Sequence, residues 1–121
     1  MPTRILLASD DESLRSFLSR VLTKAGYQVT AVRSGVAAVA ALLSERKEFA
    51  LALLDSQQPP VSGPKVISTL REAACLVPVI LASGSFIADD VAMDDSNFAF
   101  LSKPFSGAEL LGTVKKLLQE K

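Results

Sequence analysis

Short apolar runs alternate with longer helical patterns from one end of the sequence to the other, and few architectures satisfy that rhythm. The runs lie at Arg4 to Ala8, Gln28 to Val32, Leu51 to Asp55, Val79 to Ala82 and Phe98 to Leu101. Strands separated by helices read as βα units around a parallel sheet. Five such units predict an α/β fold, a single doubly wound five-stranded parallel sheet with helices on both faces, taken here in the common doubly wound order 2-1-3-4-5. At 121 residues the chain fits one domain, residues 1–121, large enough to bury a core without disulfides.

The helical stretches carry their own punctuation. The first runs from about Asp11 to Ala25, with Leu14, Phe17, Leu18, Val21 and Leu22 on one face and Gly26 as its left-handed cap. The second follows Ser34-Gly35 and ends near Arg46. A third starts at Gly63-Pro64, where proline suits the first turn, and turns Val66, Ile67 and Leu70 inward. The fourth segment, Phe86 to Asp95, holds Asp89, Asp90, Asp94 and Asp95 and is expected to be short or mobile. The last helix begins after Ser106, which forms a capping box with Glu109 and leaves Leu110, Leu111, Val114, Leu117 and Leu118 as its inner stripe. In the second helix Val36 to Leu43 has no polar face. Alanine's helix propensity accounts for that run, and a patch for a partner or a homodimer is the alternative.

Composition removes several function classes. Thirteen basic and 13 acidic residues cancel, so no net charge favours nucleic acid or anionic lipid. No apolar run approaches a membrane span, and the start Met-Pro-Thr-Arg, with only four apolar residues after it, is too short for a signal sequence. The single Cys75, among Ala73, Ala74 and Leu76, reads as a buried inert thiol. A cytoplasmic protein with protein or small-ion partners is expected.

Polar groups stand at the ends of four predicted strands: Asp10 with Asp11, Asp55, Ser83 and Lys103. In open α/β sheets ligands bind beyond the carboxyl ends of the strands, where strand order reverses, here between strands one and three. Asp10 and Asp55 end those two strands. Two carboxylates with a loop carbonyl nearby suit Mg²⁺, which keeps open positions for water and phosphate oxygens. A carboxylate is itself a nucleophile in phosphoryl transfer, and the metal offsets the charge repelling the donor. Lys103 supplies a point charge and Ser83 a hydroxyl for phosphoryl oxygens. Each residue also has a plainer explanation: Asp10 or Ser9 as a cap of the first helix, with Ser9 and Glu12 at capping-box spacing, Asp55 as a turn residue, and Ser83-Gly84-Ser85 as a generic loop. All four at successive strand ends favour a site.

Over essentially its whole length the sequence resembles the receiver domain of two-component response regulators, the flavodoxin-like fold of the chemotaxis protein CheY. Asp55-Ser-Gln-Gln-Pro59-Pro-Val-Ser-Gly63 is similar to the family's phosphoacceptor loop, Pro78 to Gly84 to the strand ending in the switch hydroxyl, and Phe100-Leu-Ser-Lys103-Pro104-Phe105 to the switch aromatic and its lysine. The resemblance implies that Asp55 takes a phosphoryl group from a phosphohistidine on a sensor histidine kinase or histidine phosphotransfer protein. With no histidine in the chain, the donor is another molecule. It further implies that Asp10, Asp55 and the Gln57 carbonyl hold Mg²⁺, and that Ser83 and Lys103 bind the phosphoryl oxygens. Phe100 would then turn inward and change the surface of the fourth helical segment, strand five and the last helix, to be read by a downstream effector or an output domain removed from this chain.

The sequence departs from the family pattern in three places. The acidic pair falls on Ser9 and Asp10, so a hydroxyl replaces the first acid, and Asp11 compensates only if the loop shifts. Loss of one unit charge at ~4 Å from a divalent ion costs about 2 kcal/mol even at water-like dielectric, which predicts weaker Mg²⁺ binding. The stretch from Ser83 to Lys103 is shorter than usual, with Ser96-Asn97 before strand five, and Gly84 leaves the phosphoryl group open to water. A binding-only pseudo-receiver is the second reading. A flavin carrier of the same topology is the third, and it lacks a Gly/Ser/Thr phosphate loop after strand one.

Overall fold

Both faces of the central sheet are apolar, because side chains of successive residues along each strand enter opposite layers. A computed structural model describes residues 3–44, 49–55, 69, 71–72, 77–83, 98–102 and 105–118, with the backbone alone at Gly35, Asp55, Ser83, Phe98, Phe100 and Ser102. In chain order these form β1 (Arg4–Ala8), α1 (Glu12–Lys24), β2 (Gln28–Val32), α2 (Gly35–Ser44), β3 (Leu51–Asp55), β4 (Val79–Ser83), β5 (Phe98–Ser102) and α3 (Gly107–Leu118). Thr69, Arg71 and Glu72 are helical, and Arg71 Nη1 donates to the Val77 carbonyl at 3.0 Å, tying that turn to the entry of β4.

All pairings are parallel and the strand order is β2-β1-β3-β4-β5, as the sequence predicts. Strands buried on both faces need apolar residues at every position, which is why β1, β3 and β4 are near-continuous apolar runs. The period of two divides them between two cores. Leu6, Ala8, Ala52, Leu54, Val79 and Leu81 pack with Ala38 and Leu42 of α2 and with Phe49. Ile5, Leu7, Leu51, Leu53, Ile80 and Ala82 pack on the other side with Leu18 and Leu22 of α1 and with Leu110 and Val114 of α3. Each such leucine, fully buried, contributes roughly 1.5–3 kcal/mol of transfer free energy.

Helix termini follow local chemistry. Gly26, at φ 101°, closes α1 in the left-handed region, where a side chain would be strained. Ser106 Oγ accepts from the Glu109 amide while Glu109 Oε1 accepts from the Ser106 amide, the reciprocal capping box expected for α3. Ser34 does for α2 what the sequence reading had not assigned: its Oγ accepts from the Ala37 amide at 3.1 Å.

For α1 one alternative explanation falls away and one expectation needs correction. Asp11 caps the helix, its Oδ1 accepting from the Leu14 amide at 3.1 Å, in place of Asp10 or Ser9. Its extended backbone (φ −82°, ψ 109°) suits that role. Phe17 is 40% exposed instead of joining the inner face. At 3.6 residues per turn it sits roughly a quarter turn from the middle of the stripe formed by Leu14, Leu18, Val21 and Leu22. In α2, Ala38 and Leu42 are buried and Val36 is exposed, so the all-apolar run has an inner and an outer side after all. The end of α2 near Arg46, the helix start at Gly63-Pro64, Cys75 and the segment Phe86 to Asp95 lie outside the described residues.

Candidate functional site

The carboxyl ends of the strands meet where the sheet reverses its direction of build-up. β1 pairs with β2 on one side and β3 on the other, so the carboxyl ends of β1 and β3 flank the point where strand order reverses, the place where open α/β sheets bind ligands. Register fixes the levels. Ala8 ends β1 opposite Leu54, and Asp55 lies one step further along β3, opposite Ala82 of β4. Ser83 in turn pairs with Ser102, the residue before Lys103. Neighbouring strands are about 4.8 Å apart, so Asp10, two residues past Ala8, and Asp55 leave adjacent strand tips.

The loop out of β1 is closely bonded. Ser9 is fully buried and its amide donates to the Val32 carbonyl at 3.1 Å, extending the contact with β2 by one residue. Its Oγ accepts from the Asp11 amide at 3.2 Å, and its carbonyl accepts from Arg15 Nη1 at 2.9 Å. Asp10 is thus exposed between two anchored residues. The replacement for an acid at position 9 works as a loop tie, and Asp11 commits an oxygen to the cap of α1. Helix capping is therefore not the role of Asp10. The Arg15 contact was missed from sequence. Its only signal was a basic residue in the first turns of a helix whose neighbour Leu14 faces inward.

Of the expected site residues, Asp10 is described in full and Asp55 and Ser83 by their backbone. Gln57 and Lys103 lie outside the described residues, as do the side chains of Asp55, Ser83 and Phe100. Among the described residues no three His, Cys, Asp or Glu side chains come together. No helix of the described residues is long and apolar enough to cross a membrane.

Comparison with known proteins agrees with this architecture. The family model of the response regulator receiver domain matches residues 5–115. The transcriptional regulatory protein GltR of Pseudomonas aeruginosa is 36% identical over 123 residues, covering 95% of this chain and 48% of that protein. TctD of Salmonella typhimurium, also a transcriptional regulatory protein, is 36% identical over 122 residues, covering 96% and 52%. The chain spans about half the length of the curated relatives it matches. Among solved structures, a response regulator receiver protein from Sinorhizobium medicae superposes with a TM-score of 0.83 at 33% identity, covering 98% of this chain and 96% of the other. With its sheet order and a family match over nearly its whole length, the chain belongs to the receiver domains of two-component response regulators.

Proposed function

We propose that this receiver domain is switched by phosphorylation of Asp55. A carboxylate oxygen of Asp55 attacks the phosphorus of a phosphohistidine on a sensor histidine kinase or phosphotransfer protein. The P–N bond breaks, its electron pair stays on the imidazole nitrogen, and an acyl phosphate forms on the aspartate. Ser83 donates a hydrogen bond to one phosphoryl oxygen and Lys103 pairs with another. Later attack by water releases inorganic phosphate and restores the carboxylate. The protein is in this sense a phosphoacceptor that catalyses its own modification, not an enzyme acting on a separate substrate.

The observation carrying this reading is the register that ends β3 at Asp55 beside the tip of β1 with its loop acid Asp10. Receiver domains of this family generally use Mg²⁺ for phosphorylation, and the donors here are hard oxygens of the kind Mg²⁺ selects. Asp10, Asp55 and the Gln57 carbonyl would hold it. When bound, it offsets the negative charge of donor and acceptor. Downstream, the surface formed by the segment before β5, β5 itself and α3 would pass the signal to an effector or to an output domain. The transcriptional regulators similar to this chain are about twice its length, which supports the second of these.

Intact-mass measurement after incubation with acetyl phosphate and Mg²⁺ tests the reading. Wild type should gain the mass of one phosphoryl group and Asp55→Asn should gain none. An unmodified wild type would turn the domain into a binding-only module.

A further inference from the structure

The hydrogen bond from Arg15 to the loop that carries Asp10 has a role that helix packing does not explain. Arg15 is half-buried in the second turn of α1 and reaches back across six residues to the Ser9 carbonyl at 2.9 Å. Its own amide donates to the Asp11 carbonyl at 2.8 Å. Asp10 is therefore bracketed. On one side Ser9 is fastened to β2 through Val32 and to α1 through the Arg15 guanidinium. On the other, Asp11 is fastened by its amide to Ser9 Oγ and by its Oδ1 to Leu14. A charged donor on a partly buried carbonyl makes one of the stronger hydrogen bonds available to a loop. Among the described residues Ser9 is the one fully buried polar residue, so this anchor holds the loop from its inner side.

We propose that Arg15 is a positioning residue for the cation site: through the Ser9 carbonyl it holds the loop so that the Asp10 carboxylate is presented to Mg²⁺ at the tip of β3. The inference rests on the functional reading given above. It has a sign that a charge effect cannot imitate. Arg15 is a cation, so if it acted on Mg²⁺ only through its field, removing it would tighten binding. If it acts by holding Asp10, removing it weakens binding, because the loop must be ordered at the expense of the binding free energy.

Calorimetric titration of the whole chain with Mg²⁺ separates the two. Arg15→Ala should bind about threefold to tenfold more weakly than wild type, a fraction of what a charged hydrogen bond contributes. Arg15→Lys, which keeps a donor and the charge but not the planar fork, should recover part of the loss. Arg20→Ala, removing a cation from an exposed position on the same helix, should match wild type. In phosphorylation by acetyl phosphate the half-saturating Mg²⁺ concentration should rise in Arg15→Ala while the rate at saturation is retained. Arg15→Gln serves if the alanine variant melts without metal below the assay temperature, and it too should bind more weakly. Unchanged or tighter binding in Arg15→Ala or Arg15→Gln overturns the proposal and leaves the functional reading intact. A wild type that takes up no Mg²⁺ overturns both.

Discussion

Ser9 occupies the position where the family pattern has an acid, and its surroundings explain how a hydroxyl is accommodated. An aspartate there would also accept the Asp11 amide, since both side chains form such turns with the residue two positions on. The substitution Ser9→Asp should therefore keep the loop but introduce a charge into a fully buried position. Without metal that charge is costly, and with a divalent ion at ~4 Å it gains about 2 kcal/mol even at water-like dielectric. Ser9→Asp should accordingly melt below wild type in chelator, bind Mg²⁺ roughly thirtyfold more tightly, and close the gap in melting temperature as Mg²⁺ is added. Thermal melts at several Mg²⁺ concentrations check this, and an equal gap at all of them would count against a metal near position 9. The resemblance to the family's motif implies the missing acid. That the serine is fastened by three hydrogen bonds depends on Val32 and Arg15, which the chain brings close only on folding.

At the scale of elements, α1 shows which signals a sequence carries and which it leaves ambiguous. Three consecutive candidates, Ser9, Asp10 and Asp11, could each cap it, and propensity does not rank them. The choice falls on Asp11 because Ser9 is drawn into the sheet by Val32, which starts the helix one residue after Asp11. Asp11→Ala should lower stability by about 1 kcal/mol in urea unfolding. Phe17 poses the opposite problem: its hydrophobicity argues for the core, and its angular position argues against. Leu18→Ala should cost roughly 2–5 kcal/mol, whereas Phe17→Ser, at a position 40% exposed, should cost clearly less. A cost for Phe17→Ser comparable to that for Leu18→Ala would mean that the aromatic ring is buried in solution. By contrast α3 was legible throughout, since Ser106 and Glu109 form a local capping box and the Leu110 and Val114 spacing places both in the core.

For the whole molecule, the parallel doubly wound sheet was readable from five βα repeats, which leave few right-handed, unknotted ways to build it, and the resemblance to receiver domains supplied the strand order. The site was readable only as far as strand ends reach. Register brings Asp55 and Ser83 to neighbouring tips, but how firmly Asp10 is held depends on contacts between β2, the first loop and α1 that no local pattern encodes. Core and site should therefore respond independently to perturbation. On the proposed function Mg²⁺ binds the folded chain and finds no preformed site in the unfolded one, so at a hundred times its dissociation constant it should add about 2.7 kcal/mol of stability. Leu6→Ala empties space between β1 and α2, within the core on the side opposite α1, and should lower stability by roughly 2–5 kcal/mol. The loss should be the same in chelator and in Mg²⁺, because a truncated core side chain contributes nothing to the cation. Asp10→Asn, at an exposed loop position, keeps the size of the side chain and removes the charge that the cation needs. It should lose most of the stabilisation that Mg²⁺ gives. If Leu6→Ala abolished the Mg²⁺ shift while Asp10→Asn preserved it, the cation would be acting on the packing of the sheet and not at the tips of β1 and β3.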